Sequence, residues 1–160
     1  MVLRPIIAGY CPLVARSLWM ADKMQEKVCD IWLEPAEFRC ILTSGALTGS
    51  GEAVLDAGAA REAAQRFQGL ASDLGRLIAS RGNHVHLIRQ GLLSFPIRQY
   101  EWAKPSPQII ERSARELAGL VGTGKTLLPR PGCGQNELTW EMVAPLLSFL
   151  PDNIIVVRRA

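Results

Sequence analysis

What the chain lacks narrows its function first. None of its four cysteines, Cys11, Cys29, Cys40 and Cys133, stands within three residues of another, so they form neither a C-x-x-C redox pair nor a paired metal-binding spacing. Scattered thiols of this kind suit a reduced, cytoplasmic chain rather than a disulfide-stapled one. Only two histidines are present, His84 and His86 in "NHVHL". A two-residue period puts them on one face of a strand. No carboxylate or third histidine can be named with them from the sequence, so they read as structural, and no metal is expected. No uninterrupted apolar run approaches the roughly 20 residues of a membrane helix, so no membrane partner is expected. Net charge is only +3, from 18 Lys and Arg against 15 Asp and Glu. That mild excess suits a small anionic ligand, but it is not clustered as in a sequence-specific nucleic-acid binder.

What remains is ordinary for a soluble globular chain. Hydrophobic residues make up 48% and charged residues 21% of 160 positions, enough for one domain with its own core. Within residues 1–23, Pro5, Gly9 and Pro12 interrupt any long helix. That segment reads as an extension ahead of a domain spanning 24–160.

The stretch "GLVGTGKT", Gly119 to Thr126, satisfies the phosphate-loop pattern G-x-x-x-x-G-K-[ST] at every position. The pattern binds phosphate only where a strand enters the loop and a helix leaves it. Here "SPQIIERSARELAGL" places Ile109, Ile110, Ala114, Leu117 and Leu120 at helical spacing upstream, with Pro107 fit for a first turn. Downstream, "TLLPR" is a short apolar run stopped by prolines, which reads as a strand. The order is reversed. Gly122 and Gly124 therefore read as helix C-terminal punctuation, and Lys125 belongs to a lookalike.

The rest of the chain alternates between the two periods. "MQEKVCDIWL" ends in a strand-like run and "EFRCILTS" reads as a buried strand. "AVLDAGAAREAAQRF" predicts a helix from near Asp56, with Ala53, Ala57, Ala60, Ala64 and Phe67 along one face. "GLASDLGRLIAS" predicts a second short helix ending at the Gly82-Asn83 turn. "HVHLI" and "GLLSFPI" are strands, "LTWEMVAPLLSFL" a helix and "NIIVV" a final strand. Such alternation predicts an α/β fold, a three-layer α/β/α sandwich with a mixed, largely parallel sheet. Ligands of open parallel sheets bind beyond the strands' carboxyl ends. Two glycine-rich loops lie there, Gly45–Gly58 and Pro131–Glu137, each opening a helix whose N–H groups can meet an anion.

Three stretches together resemble the macro domain family, whose members bind ADP-ribose and its derivatives. "LPRPGCGQNELTWEMVAPLL", Leu128 to Leu147, is similar to the P-R-x-G-C-G-x-x-x-L-x-W-x-x-V signature of the branch containing ADP-ribose-1''-phosphate phosphatases and the terminal ADP-ribose protein glycohydrolase. "VCDIW" resembles the family's early G-D-I motif, with Cys29 in place of glycine. "TSGALTGSGEAVLDAGAAREAAQRFQGL" follows the family's strand, loop and helix. The resemblance spans about residues 24–158.

Residue by residue, the resemblance implies that Asp30 accepts from the adenine amine, a bond strengthened by its charge, and that the Ile31 backbone orients the ring. Thr43 and Gly45 end the strand at the site, where Thr43, Ser44 and Gly45 replace the asparagine that many macro hydrolases carry after the second strand, and Gly58, Ala59 and Ala60 pass close to the distal ribose and phosphates. Pro131, Gly132, Cys133, Gly134, Gln135 and Asn136 wrap the diphosphate. Cys133 is there a packing residue, since nothing nearby in sequence depresses its thiol pKa. Trp140 and Val143 pack the following helix. Two further positions depart from the branch. Asn136 stands where an aspartate serves in catalysis, and an amide cannot act as a carboxylate base. Arg98 falls near a lysine used as nucleophile, and arginine stays protonated; it remains able to contact phosphate. Glu137, next along, is an available acid that reads as solvent-facing; with Asn136 it is the candidate catalytic group. The implied ligand is ADP-ribose or an ADP-ribosylated substrate, with no cofactor, and the alternative activity is hydrolysis of such a substrate or of ADP-ribose-1''-phosphate.

Overall fold

The computed structural model describes residues 24–135 and 137–159. Its strands are β1 (Gln25–Val28), β2 (Phe38–Ser44), β3 (Leu87–Arg89), β4 (Leu92–Arg98), β5 (Thr126–Pro129) and β6 (Ile154–Arg158). They form one sheet in the order β1-β6-β5-β2-β4-β3. Every neighbouring pair runs parallel except β3, which is antiparallel to β4. The helices are α1 (Gly58–Arg66), α2 (Leu70–Arg81), α3 (Pro107–Val121) and α4 (Trp140–Val143), the last continued by a 3-10 turn over Ala144–Leu147.

Alternation along the central strands sorts the layers. On β2 and β4, Ile41 and Leu92 meet Ala60, Ala63 and Leu70 of α1 and α2. Their neighbours Cys40, Leu93 and Phe95 meet Ile110, Ala114, Leu117 and Leu147 on the opposite face. A sheet with both faces covered gives near-continuous apolar strands, and β4 is buried from Leu92 to Ile97. Burying Phe95 completely stabilises the fold by roughly 2–3 kcal/mol. The three-layer sandwich expected from the alternation is thus the observed fold. No helix among the described residues is long and apolar enough to cross a membrane.

Three local features differ from the sequence reading. In "MQEKVCDIWL" the strand is the front, Gln25–Val28, not the end. Asp30 turns the chain off the sheet, because its Oδ1 accepts from the Trp32 amide at 2.8 Å. Helix α1 starts at Gly58, near Asp56 as expected, but Ala53 is not part of its face: it is held in a bridge with Leu47, and its amide donates to Ala71 at 2.8 Å. "LTWEMVAPLLSFL" manages one α-turn and then tightens to 3-10, with Pro145 in the first turn of that tighter segment; Pro145 has no N–H for an α-helical bond.

Helix α3 follows expectation. Ser106 Oγ accepts from the Ile109 amide at 3.3 Å, and Pro107 opens the helix. The apolar stripe Ile110, Ala114, Leu117 and Val121 faces the core, while Leu120 is 53% exposed.

Candidate functional site

Parallel strands align their carboxyl ends, so the segments leaving β2, β4 and β5 converge at one edge of the sheet. They enclose a cleft of about 600 Å³. Three walls form it.

The first wall follows β2. The loop between β2 and α1 closes on itself through Thr48, whose amide donates to the Glu52 carbonyl at 2.8 Å and whose carbonyl accepts from Gly51 at 2.9 Å. This turn leans on α2 at Gly75, where any side chain would overlap the Gly51 carbonyl. Only the last part of the loop, Val54 and Asp56 to Gly58, reaches the cleft, followed by Ala59 and Ala60. Ala57, as N-cap, offers no side-chain hydrogen bond. The first-turn N–H groups of α1 are therefore open to a ligand from the cleft side. Gly58 has φ +56 and open space where a side chain would project.

The second wall follows β5. Gly132 has φ +73, and a Cβ there would stand 2.9 Å from Pro105 and 3.0 Å from Ile110. Only glycine fits this turn. The Gly132 carbonyl accepts from Leu138 at 2.9 Å, closing the loop. Cys133 Sγ lies 3.5 Å from the Pro131 carbonyl, and burial pushes its thiol pKa up. It is a protonated packing group at neutral pH.

The third wall ends β4. The pairing with β2 skips a residue, from Thr43 opposite Pro96 to Ser44 opposite Arg98, and such bulges re-aim side chains beside sites. Ile97 and Arg98 both line the cleft. Arg98 Nη1 donates to the Ala103 carbonyl at 3.0 Å, and Nη2 donates to Glu137 Oε2 at 2.6 Å. The other Glu137 oxygen accepts from the Gly134 amide at 3.1 Å. Side-chain exposure is only 20% for Arg98 and 21% for Glu137. Glu137 is thus not solvent-facing, as the sequence suggested. A guanidinium and a loop amide draw it inward.

The cleft brings together Thr43, Gly58, Ala59, Ala60 and Arg98 with Gly132, Cys133, Gly134, Gln135 and Glu137. It does not include Asp30, Ile31, Gly45 or Pro131 among its lining residues. Asp30 and Ile31 leave β1 at the far side of the sheet. Ile31 is 4% exposed, and its carbonyl accepts from Arg39 Nε at 2.7 Å. Gly45 packs against the end of β4, its amide directed at the Gln99 carbonyl at 3.0 Å. Asn136 lies outside the described residues.

His84 and His86 precede β3 rather than sit in it. His86 Nε2 lies 2.8 Å from the Gly82 carbonyl and His84 Nδ1 2.8 Å from Glu116 Oε2. Glu116 is a neighbour supplied by the fold, 32 residues away in sequence.

Sequence reasoning missed Asp56, Glu101 and Arg130 as lining residues. Arg130 stands inside the quoted P-R pair, which was the available signal. Its Nη2 donates to Glu26 Oε1 at 2.8 Å, and its guanidinium lies 4.4 Å from the centroid of Trp140. That stacking ties the second glycine loop's entrance to the helix that follows it.

No family profile and no curated protein sequence matches the chain. Solved structures do. The macrodomain of DarG from Mycobacterium tuberculosis superposes with a TM-score of 0.69 at 13% identity, covering 86% of this chain and 98% of that one. The DarG macrodomain from Thermus aquaticus gives 0.67 at 13% identity, with the same coverage. DarTG from Thermosipho africanus in complex with ADP-ribose gives 0.64 at 15% identity, covering 80% of this chain and 39% of that one. At these identities the likeness is one of backbone architecture, and that architecture, over most of the chain, is the macrodomain fold.

Proposed function

We propose that residues 24–160 form a cytoplasmic binding module for ADP-ribose or a related NAD-derived nucleotide, its diphosphate seated against the first turn of α1 and facing the turn Gly132–Gln135, where Glu137 already holds the Gly134 amide. One observation carries this reading: two glycine loops from different strands line the same cleft, and one of them opens a helix without a side-chain cap. Backbone N–H groups at such a helix start, reinforced by its dipole, favour an anion. The cleft volume of about 600 Å³ suits a ligand of that size. A protein of the same fold, DarTG from Thermosipho africanus, is in complex with ADP-ribose. Asp30 and Ile31 belong in this reading to the adenine end, beyond the enclosed part of the cleft.

A second reading, hydrolysis of an ADP-ribosylated macromolecule, has one observation in its favour: the Glu137 carboxylate is inside the cleft, paired to Arg98. Both of its oxygens are already engaged, one by Arg98 and the other by the Gly134 amide. Calorimetric titration with ADP-ribose tests the first reading, with saturable binding expected. A flat titration at millimolar ligand overturns it. Incubating the same protein with an ADP-ribosylated peptide tests the second, which requires turnover that falls in Glu137→Gln.

A further inference from the structure

Glu137 occupies, in the folded chain, the position an anion would take. Its carboxylate receives a guanidinium from Arg98 at 2.6 Å and a loop amide from Gly134 at 3.1 Å. These are the donors that a phosphate would need at this end of the cleft. We propose that Glu137 is a specificity-determining residue: it makes the β4 end of the cleft accept the hydroxyls of an unphosphorylated terminal ribose and reject a phosphate there. This rests on the ADP-ribose reading above.

The chemistry follows from the carboxylate's bonding capacity. An ionised carboxylate offers about four acceptor positions and no proton. Two are used, by Arg98 and Gly134. The remaining pair can accept from two vicinal hydroxyls, which a ribose supplies as donors. A phosphate in the same place brings only further acceptors and negative charge, and like charges juxtaposed in a partly dehydrated site repel strongly. The surroundings do not offset this. Among the cleft-lining residues, the carboxylates Asp56, Glu101 and Glu137 outnumber the guanidinium groups of Arg98 and Arg130, and Arg130 is already paired with Glu26 at 2.8 Å.

The position along the ligand is set by the fold. Strand β4 neighbours β2 on the side away from β5. A diphosphate between the loops after β2 and β5 therefore directs one of its two ribosyl groups toward Arg98. The other runs toward β1.

The test is calorimetry with two probes, ADP-ribose and ADP-ribose-1''-phosphate, on the wild type, Glu137→Gln and Glu137→Asp. The wild type should bind ADP-ribose at least roughly tenfold more tightly than the phosphorylated probe. Glu137→Gln, which keeps shape but not charge, should narrow that ratio several-fold. Glu137→Asp, which keeps charge, should preserve most of it. Equal or tighter binding of ADP-ribose-1''-phosphate by the wild type overturns the inference and leaves the ADP-ribose reading standing. An unchanged ratio in a folded Glu137→Gln also overturns it. Binding of neither probe by the wild type removes both. If Glu137→Gln does not fold, the wild-type ratio alone decides.

Discussion

Strand β5 carries a glycine-rich turn at each end, and the two turns have opposite chemistry. The turn before it, Gly119–Thr126, holds a complete phosphate-loop pattern. There helix α3 stops at Val121, and Gly122 takes φ +55. The carbonyls of Gly122 and Gly124 both accept from Asn153 Nδ2, at 2.9 and 2.8 Å, and Thr126 Oγ1 donates to the Gly124 carbonyl at 3.0 Å. Lys125 pairs with Glu34 at 2.9 Å. The turn after β5, Pro131–Glu137, lacks any lysine but faces an uncapped helix start across a cleft. A helix entering a turn leaves spare carbonyls, whereas a helix leaving one presents spare N–H groups. Chain direction, not glycine content, decides which turn can meet an anion.

The sharpest way to break this comparison is at Gly132. Valine there would impose a β-branched residue on φ +73 and drive its Cβ into Pro105 and Ile110. Left-handed strain and overpacking together should cost about 3 kcal/mol. For a domain of this size that lowers Tm by roughly 6–12 °C, readable by calorimetry, and ADP-ribose binding should go with it. A Gly132→Val protein that melts like the wild type would mean the turn is not built as described. Gly58→Glu separates binding from stability. Space is open at Gly58, so the stability cost should be only the left-handed backbone, about 1–2 kcal/mol. A carboxylate at the first turn of α1 would occupy the proposed diphosphate seat, so affinity for ADP-ribose should fall at least tenfold. Unchanged affinity would move the ligand out of this cleft.

Much of the fold was legible because burial imposed a period. Strand β4, buried from Leu92 to Ile97, and helix α3, with its stripe and its Ser106 cap, announce themselves in sequence. The directionality of the Lys125 turn could also be read from what flanks it. What could not be read depends on partners distant in sequence. Glu137 looked like a surface acid because Arg98 lies 39 residues away. His84 looked unpartnered because Glu116 is supplied from α3. The bulge that brings Arg98 to the cleft arises from pairing between β2 and β4, which no local pattern encodes. Helix α4 was over-extended in the reading because its apolar spacing continues past Pro145, where the missing N–H ends the α-helical ladder.

The smallest effect is expected at Lys125, and it tests the other half of the comparison. Lys27 and Lys125 lie 2.8 and 2.9 Å from Glu34 and together hold its carboxyl below the usual range, the hydrogen bond from Lys27 being the largest single cause. A carboxyl depressed in the folded state stabilises the fold above its unfolded pKa, near pH 4.3, and that contribution is lost as pH falls through the folded value. Lys125→Ala removes one of the two cations. Its loss of stability should therefore be small, read by melting at pH 7, and should fade as pH falls through the folded value. Affinity for ADP-ribose should be unaffected, because Lys125 enters β5 from the edge of the sheet opposite the cleft. If Lys125→Ala instead abolished binding of a nucleoside phosphate without unfolding the chain, carbonyl-lined geometry would not have disqualified the lookalike turn. The contrast between the two ends of β5 would then fail.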